Sequence, residues 1–466
     1  MINKIKNNKT VKQITPFLKE TSTDSYIVGG FIRDTMLDKE SCDIDIVVPK
    51  GHACMFSKDL ADKINGYFVE LDDINEIYRV VFEDKTNYID IADCVGKTIE
   101  EDLKRRDFTM NSLAYDIQKE RIIDINGGEE DIKNAVIKEV CAKNITDDPI
   151  RILRAYRFQS ELGFGFSETL KTVIRENTIL LNNTAKERIN AELVKLFGGK
   201  YAHEVLAELN ENNILEMIFP ETTDIRKIPK NSHHHLDLIH HSIETVKQVQ
   251  LYYEHAHTEV QTHLNDTFAG GQKRLAYLKI AAFLHDVGKP STWQIEPETN
   301  RHRFIMHDSE GAKLIVPTLK SLKFSKKQIA YMQKIIKNHI YPAGVVTSDE
   351  VSEKAYFRFY RKMEDEVIDL IAIAYADRMS ALGEDITQEM INKNIFGLNK
   401  LLEKYLQEKS KLAPLPKLLN GHEIMKILNI KASPKLGEMI DKLYEAQISG
   451  EINTKKEAID FVKTLA

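Results

Sequence analysis

Short apolar runs separated by polar turns fill the first third of the chain, a pattern that predicts β-strands joined to short helices. The runs lie at 26–28, 43–48, 67–71, 78–82 and 88–92, and helical spacing is found up to about Leu18 and from His52 to Ile64. From about residue 147 onward, apolar positions recur at helical spacing. The pattern predicts an α+β domain followed by all-α domains.

One segment, Tyr26 to Val48 (YIVGGFIRDTMLDKESCDIDIVV), joins two of these strands. The first strand runs into Gly29-Gly30, where only a residue without a Cβ fits the turn. Alternation along the second strand places Asp43 and Asp45 on one face. Adjacent carboxylates repel each other, but Mg²⁺ prefers carboxylate oxygens and retains positions for water and phosphate. The Gly-Gly turn offers N–H groups to a phosphate, so we interpret the segment as a nucleotidyl-transfer site.

Composition limits the class of protein. The chain has 466 residues, of which 42% are hydrophobic and 29% charged, as in a soluble globular protein of about two to four domains. No apolar run has the roughly 18 residues of a membrane span, and the polar N-terminus lacks a signal sequence. Four isolated cysteines favour a reducing compartment, so we expect a cytoplasmic protein. The net charge of −6 requires that any phosphate contacts come from local clusters of Lys and Arg.

The segment EEDLKRRDFTMNSLAYD carries candidate phosphate ligands. Arg105 and Arg106 point about 100° apart in a helix, so we do not expect them to share one carboxylate. A guanidinium matches a phosphate bidentately, and Asn111 offers a donor and an acceptor to a ribose. A solvated basic helix start is the alternative. In the strand before this segment, Asp90 is either a third carboxylate beside the metal or an exposed residue.

A predicted helix begins at Asp148-Pro149, where proline suits the first turn. Arg151, Arg154 and Arg157 follow at a spacing of three and therefore share one side of the helix. They need anions, which are either a nucleoside triphosphate or glutamates on a neighbouring helix. Asp148 and Arg151 combine acceptors and donors that match the hydrogen-bonding edge of a base.

Five blocks of the first 200 or so residues resemble the class II tRNA nucleotidyltransferase and bacterial poly(A) polymerase family, in order: GGFIRD…CDIDIVV, EEDLKRRDFTMNSLAY, IDINGGEEDI, DDPIRILRAYRFQSELGF and KERINAEL. The resemblance implies a Pol β-like head with a small mixed sheet, a helical neck, and CMP or AMP transfer from CTP or ATP to the 3′ end of tRNA. It implies Mg²⁺ on Asp43 and Asp45, with the tRNA acceptor arm as partner and neither DNA nor membrane. The implied nucleotide-binding residues are Gly30, Arg33, Arg106, Asn111, Asp148, Arg151, Arg154 and Arg157. Among them, Asp148 and Arg151 would select the base, and Arg154 and Arg157 would bind triphosphate.

A short connection bears on the product. Only DCVGKTI lies between Ala92 and the EEDLKRRDF block, whereas CCA-adding members of the family carry a longer flexible loop there that is tied to the switch from C to A. Full CCA addition, CC-only addition, and A-only addition or poly(A) synthesis remain open.

A second constellation follows in HHHLDLIHHSIETV, LAYLKIAAFLHDVGKPSTW, FIMHDSEGAKLIV, IIKNHIYP and AYADRMSA. His285-Asp286, with distant His241 and Asp377, resembles the HD metal-hydrolase superfamily, and His307 and His339 are candidates for further ligands. Imidazole with carboxylate suits Mn, Fe, Co, Ni or Zn better than Mg. The alternatives are a metal-free relic and a chain that is chiefly an HD phosphodiesterase or phosphatase.

The domains predicted are a head (1–146), a neck (147–222), an HD domain (230–385) and a helical tail (386–466) that resembles the tRNA-binding end of the same family. The histidines at 233–235 and the polar stretch from Tyr252 to Lys273, with His255, His257 and His263, are interpreted as loops. A non-catalytic RNA-binding protein would leave the paired aspartates without a purpose.

Overall fold

The computed structural model describes residues 1–41, 43–72, 76–230, 235–299, 301–347, 351–409 and 416–465. The chain divides into two compact units, Met1–Tyr201 and Ala202–Ala466. Of the histidine run at 233–235, only His235 is among the described residues.

The strands of the first unit are β1 Tyr26–Val28, β2 Ile44–Val48, β3 Tyr67–Asp72, β4 Ile77–Val81, β5 Tyr88–Asp93, β6 Leu113–Asp116, β7 Arg121–Asp124, β8 Val136–Ile137 and β9 Gly165–Phe166. Among the described residues, the first seven form one mixed sheet in the order β3-β4-β5-β2-β1-β6-β7. Adjacent strands in this sheet are antiparallel, except for β2 and β5, which are parallel. The small mixed sheet expected of the head is therefore present.

The helices of the first unit are α1 Ile2–Asn7, α2 Lys9–Glu20, α3 Gly30–Met36, α4 Ala53–Lys63, α5 Ile99–Lys104, α6 Gly128–Lys133, α7 Ala142–Asp147, α8 Ile150–Leu162, α9 Glu168–Asn177 and α10 Lys186–Gly198. Short 3-10 turns span Thr109–Asn111 and Thr178–Asn183. Helix α4 buries Phe56 and Leu60 against strands β3 to β5, because residues four apart share one helix face. One face of the sheet is thereby covered.

The helices of the second unit are α11 Ala202–Glu211, α12 Ile214–Ile218, α13 Thr222–Ile225, α14 Leu238–His255, α15 Thr258–Asn265, α16 Arg274–Leu284, α17 Lys289–Thr292, α18 His307–Ser321, α19 Lys326–Asn338, α20 Tyr341–Val345, α21 Glu353–Met363, α22 Val367–Ser380, α23 Gln388–Glu408, α24 Gly421–Leu428, α25 Pro434–Ile448 and α26 Lys455–Thr464. A hairpin of β10 Trp293–Glu296 and β11 Arg301–Phe304 interrupts them. The prediction that everything after the head is α-helical is corrected by this hairpin and by the parallel pair β8–β9.

The loop predicted from Tyr252 to Lys273 is wrong as far as Asn265, whereas residues 266–273 do lie outside helices and strands. Helix α14 continues to His255 and α15 follows, anchored by buried Val260 and Leu264 four residues apart. A single apolar pair is a weak sequence signal, but packing of both residues is sufficient to hold two helical turns.

Two helices of the second unit are buried on almost every side. Every residue of α16 from Leu275 to Leu284 is buried, and most of α22 is buried as well. A helix without a polar face occupies the centre of a domain, so the residues at its end, His285 and Asp286, lie in the interior. No helix of the described residues combines the length and apolar character that crossing a membrane requires.

Candidate functional site

Three aspartates meet on one face of the sheet in the first unit. Asp45 on β2 lies beside Asp90 on β5, and Asp43 immediately precedes β2. Burial, followed by the charges of Asp43 and Asp90, raises the pKa of Asp45 to about 7, against the effect of Arg106 and Arg79. Such repulsion is what a divalent cation relieves, so the carboxylate oxygens of this face fit Mg²⁺. Asp90 therefore belongs to the acidic face and is not a plain exposed residue.

The Gly-Gly turn borders these carboxylates. Gly29 has a φ of +74°, and a Cβ at this position would lie 3.1 Å from Nη1 of Arg106 and 3.9 Å from Oδ2 of Asp45. A side chain would thus fill the space between the guanidinium and the carboxylate. At Gly30 the nearest atom to a Cβ would be Nη2 of Arg33, at 3.5 Å.

A chain of hydrogen bonds leads from this turn to helix α8. Arg33 donates from Nη1 to Oδ1 of Asn111 at 2.6 Å, and Asn111 donates from Nδ2 to Oδ1 of Asp107 at 3.2 Å. Arg154 on α8 donates from Nε to Oδ2 of Asp107 at 2.9 Å. Burial opposes ionisation of Asp107, but Arg154 and the bond from Asn111 hold its pKa below the ordinary value. The sequence interpretation missed Asp107, although it lies between Arg106 and Phe108 in a quoted block.

The expectation that Arg105 and Arg106 would not share one carboxylate is wrong. Both pair with buried Asp102: Nε of Arg105 is 3.0 Å from Oδ1, and Nη2 of Arg106 is 2.9 Å from Oδ2. The two arginines follow the end of α5, three and four residues after Asp102, so each long side chain reaches a different oxygen of one carboxylate. Arg106 also donates from Nη1 to the backbone carbonyl of Asn111 at 3.4 Å.

The arginine row on α8 is divided between two environments. Arg157 is buried and donates from Nε to Glu192 on α10 at 2.7 Å and from Nη1 to Glu161 at 2.9 Å. Arg154 is 34% exposed and approaches Glu192 at 3.4 Å besides its bond to Asp107. One glutamate on the neighbouring helix α10 and one on α8 itself therefore satisfy Arg157.

The pair proposed for base selection lies at the start of α8. Nε of Arg151 is 4.0 Å from Oδ2 of Asp148, as the spacing of three predicts. Arg188 on α10 donates one hydrogen bond to each carboxylate oxygen of Asp148, at 2.9 and 2.8 Å. Arg151 donates from Nη1 to the carbonyl of Arg105 at 2.9 Å. Arg188 was quoted within KERINAEL, but no local pattern indicated its partner.

A separate cluster lies inside the second unit, made of four imidazoles and two carboxylates: His241, His285, Asp286, His307, His339 and Asp377. All lie within reach of Asp286 or Asp377. Nε2 of His285 is 3.2 Å from Oδ2 of Asp286, and Nε2 of His307 is 3.3 Å from Oδ1. Nε2 of His241 is 3.2 Å from Oδ1 of Asp377. The structure thus brings together the four predicted ligands and both additional candidates.

The imidazoles of this cluster are oriented by the backbone. Nδ1 of His285, His307 and His339 lies 2.7, 2.8 and 2.7 Å from the carbonyl three residues earlier. Nδ1 of His241 is 3.4 Å from the carbonyl of Ser380. Each Nε2 therefore points inward, which is the arrangement that second-shell hydrogen bonds give to metal-binding histidines.

Asp286 is shared by two groups that have metal-ligand spacing, one with His241 and His285 and one with His307 and His339. Both of its oxygens are buried, and Nζ of Lys289 lies 2.6 Å from Oδ2. Burial opposes the charging of His285, yet the neighbouring carboxylates raise its pKa to about 10. A buried carboxylate surrounded by inward Nε2 atoms fits a transition-metal cation.

A buried ionic network in the same unit explains the position of His263. Asp369 on α22 is fully buried and accepts bonds from Tyr331 at 2.5 Å and Arg274 at 3.0 Å, and lies 2.7 Å from Nε2 of His263. These groups come from four different helices. His263 is therefore a structural residue and not a loop residue.

Three families match parts of the chain. They are the poly A polymerase head domain over residues 25–138, the probable RNA and SrmB-binding site of polymerase A over 163–226, and the putative tRNA nucleotidyltransferase domain 2 over 305–462.

Similar proteins align with nearly the whole chain or with less than half of it. The A-adding tRNA nucleotidyltransferase of Deinococcus radiodurans is 28% identical over 94% of this chain and 95% of its own length, and the CC-adding tRNA nucleotidyltransferase of Thermus thermophilus is 27% identical over 95% and 94%. The CCA-adding enzyme of Geobacillus stearothermophilus is 35% identical over 42% of this chain and 51% of its own. The structure of a CCA-adding enzyme with CTP shares the fold, with a TM-score of 0.58 at 21% identity over 99% of this chain and 97% of that one.

Proposed function

We propose that this chain, a member of the poly A polymerase and tRNA nucleotidyltransferase family, adds CMP or AMP from CTP or ATP to the 3′ end of tRNA. The observation that carries the proposal is the meeting of acidic and basic groups at Gly29, whose open side faces both Asp45 and Arg106 within 4 Å. One triphosphate can span these groups. Lys and Arg of the neck (147–222) and the tail (386–466) would contact the acceptor arm by shape and phosphate contacts.

In this reaction the 3′-hydroxyl of the RNA attacks the α-phosphorus of the nucleotide, and pyrophosphate leaves. Mg²⁺ held by Asp43 and Asp45 would lower the pKa of the attacking hydroxyl and neutralise charge on the leaving group. Arg106 and the Arg33–Asn111 pair orient the sugar and phosphates. The residues otherwise act by positioning, so no covalent intermediate forms.

Base selection is assigned to Asp148 and Arg151. A carboxylate accepts from the amino group of cytosine or adenine, and a guanidinium donates to the adjacent ring acceptor. Arg188 fixes the carboxylate plane of Asp148 through two hydrogen bonds. Arg154, whose guanidinium is partly exposed, is the residue of the row best placed for the triphosphate.

The arginine row provides a test of this division. Arg157→Met should lower the free energy of unfolding by about 3 kcal/mol, because it leaves Glu192 buried without its main partner. Arg154→Met also lowers stability, because it leaves buried Asp107 without its charged partner; unlike Arg157→Met, it should in addition raise the KM for CTP or ATP about tenfold, which corresponds to one lost charge-assisted hydrogen bond. Urea unfolding and steady-state kinetics measure both. Lys171→Met, an exposed residue of α9, is the control; a larger KM increase in Arg157→Met than in Arg154→Met would reverse the assignment.

The product we propose is CC. The connection between β5 and α5 is short and is held by hydrogen bonds to α5. The N–H of Val95 donates to Asp102 at 3.2 Å, and the N–H of Lys97 donates to Glu101 at 2.6 Å. A segment held in this way lacks the freedom of the longer loop tied to the switch from C to A. Among the similar proteins, A-adding and CC-adding enzymes align with 93% or more of this chain, whereas CCA-adding enzymes and one further CC-adding enzyme align with 40% to 45% of it. Because a CCA-adding structure covers 99% of the chain, the proposal of CC rests on the short connection between β5 and α5.

Incubation with tRNA that lacks its CCA end decides the product. We expect two cytidines from labelled CTP, and no further extension when ATP is added. The matched substrate is tRNA that already ends in CC, on which labelled ATP should give no product. Extension of this substrate by one adenosine would assign A addition, and extension of the first substrate by all three nucleotides would assign full CCA synthesis.

We propose a second activity for the cluster around Asp286, hydrolysis of phosphoesters such as 2′,3′-cyclic phosphates with a bound Mn, Fe, Co, Ni or Zn ion. The imidazoles and carboxylates present suit these metals. Asp377 is 30% exposed and His307 14% exposed, whereas His241, His285 and Asp286 are at most 1% exposed, so a substrate would approach from the side of the first two residues.

A further inference from the structure

Strands β5, β4 and β3 extend the sheet from the catalytic aspartates toward one edge, and they carry side chains that can bind a ligand. In the sheet order, Asp45 on β2 has β1 on one side and β5 and β4 on the other. The groups proposed for the triphosphate, Gly29 and Arg106, lie on the β1 side. On the other side, Asp45 pairs in register with Asp90, and Asp90 with Arg79 on β4, so all three side chains share one face.

Arg79 and Tyr88 form a stacked pair on this face. Arg79 donates from Nε and Nη2 to the two oxygens of Asp90 at 2.7 and 2.8 Å, and its guanidinium lies 3.8 Å from the ring centre of Tyr88. Burial and then the charge of Asp43 raise the pKa of the Tyr88 hydroxyl, as expected for a ring that lies near this carboxylate. Two of the three guanidinium nitrogens are used in this way, and Nη1 can donate to a phosphate oxygen. Arg79 is thus tied to Asp90 by two hydrogen bonds, and Tyr88 lies near Asp43.

The same face continues outward with exposed apolar groups. Tyr67 and Val69 on the edge strand β3 are 50% and 39% exposed, and they lie on the face of Arg79 through the pairs Tyr67–Val81 and Val69–Arg79. Nζ of Lys85 lies 5.6 Å from the ring centre of Tyr67. On the opposite face, α4 covers the sheet. Aromatic rings combined with cationic groups on an open sheet face are the features with which proteins bind single-stranded nucleic acid.

We propose that Arg79 and Tyr88 bind the 3′-terminal nucleotide of the acceptor RNA, an inference that rests on the proposed function. In phosphoryl transfer the attacking and leaving oxygens lie roughly in line. Because the leaving pyrophosphate is assigned to the β1 side of Asp45, the attacking 3′-hydroxyl must enter from the β5–β4 side. There the base stacks on the Tyr88–Arg79 surface without sequence preference, and Nη1 of Arg79 contacts its phosphate. Arg79 and Tyr88 are positioning residues that place the hydroxyl beside Asp45.

Crosslinking tests the location directly and does not require turnover. A tRNA that ends before CCA and carries 4-thiouridine at its 3′ terminus is bound to the full chain without nucleotide and irradiated, and the crosslinked peptide is identified by mass spectrometry. We expect the crosslink within residues 77–93. A crosslink confined to other peptides, such as those of α8, would overturn the proposal. If the wild-type protein incorporates no nucleotide, the proposed function fails, yet the position of the crosslink still decides where the RNA terminus binds.

Steady-state kinetics distinguish an effect on binding of the acceptor tRNA from an effect on binding of the nucleotide. Arg79→Met and Tyr88→Leu should each raise the KM for the acceptor tRNA about tenfold, the size of one stacking contact, and change the KM for CTP less than twofold. Tyr88→Phe keeps the ring and should restore the acceptor KM. Lys58→Met, on the α4 side beside Phe68, is the matched control. A rise in the KM for CTP with an unchanged acceptor KM in both variants would contradict the assignment.

Discussion

Replacing Asp45 by asparagine should abolish nucleotide incorporation and at the same time stabilise the metal-free protein at pH 8. The loss of activity follows from removal of a carboxylate that we propose holds Mg²⁺, and we expect it to reach at least about 10³-fold, the factor that several kcal/mol of transition-state stabilisation represents. Incorporation of labelled CMP into tRNA measures it.

The raised pKa of Asp45 explains why we expect the variant to be more stable than the wild type at pH 8. The value rises from 3.8 to about 7 on folding, so the folded state binds a proton more tightly than the unfolded state. Protonation therefore favours the fold at low pH, and this contribution is lost between about pH 4 and pH 7. Above pH 7 the wild-type protein bears an ionised Asp45 repelled by its neighbours, whereas the variant is neutral.

Thermal unfolding with EDTA tests this sign. The excess in melting temperature of Asp45→Asn over the wild type should be larger at pH 8 than at pH 5. Asp59→Asn, an exposed carboxylate of α4, should leave both activity and stability unchanged. Retained CMP incorporation in Asp45→Asn would contradict the assignment of Asp45 as a metal ligand. A melting temperature below that of the wild type at pH 8 would contradict the repulsion that we infer between Asp45 and its neighbouring carboxylates.

Replacing Asp286 by asparagine should remove the transition metal that we propose for the second unit and spare nucleotide addition. Its two oxygens face different imidazoles, Oδ2 near His285 and Oδ1 near His307, so the change weakens both ligand groups at once. We expect metal content, measured by plasma mass spectrometry after purification in the presence of Mn²⁺ or Ni²⁺, to fall at least tenfold. Hydrolysis of 2′,3′-cyclic phosphates should fall with it.

Two further variants keep this test decisive. His307→Ala removes a ligand of the partly exposed side and should also lower the metal content, even if Asp286→Asn unfolds. Asp266→Asn, an exposed carboxylate in the same unit, should retain metal and activity. Unchanged metal content in both cluster variants would show that the cluster holds no ion, and loss of CMP incorporation in a folded Asp286→Asn would mean that the two activities are not independent.

Local sequence was sufficient for the parts of the sites that lie within one element or turn. Alternation on β2 predicted the shared face of Asp43 and Asp45, and the observed φ of Gly29 agrees with the need for a residue without a Cβ. A spacing of three predicted that Asp148 and Arg151 would be neighbours. Each of these depends on the period of a strand, a turn or a helix, which a few consecutive residues specify.

Partners that are distant in sequence were not visible in this way. Arg79 meets Asp90 through the register of two strands, and Arg188 meets Asp148 through the packing of two helices. Nothing near either arginine indicates which carboxylate it will reach. The same holds for Arg157, for which the sequence left two kinds of anion open and the position of Glu192 on α10 selected one.

By itself, then, the sequence determined the strands, the turn and the helices that carry the paired aspartates and the His-Asp dipeptide, because hydrophobic periodicity and glycine act over a few residues. Tertiary structure alone decided which charges are satisfied and which remain open for a ligand. The physical reason is that the electrostatic free energy of a side chain depends on distance and burial, and both are fixed only when separate elements pack together.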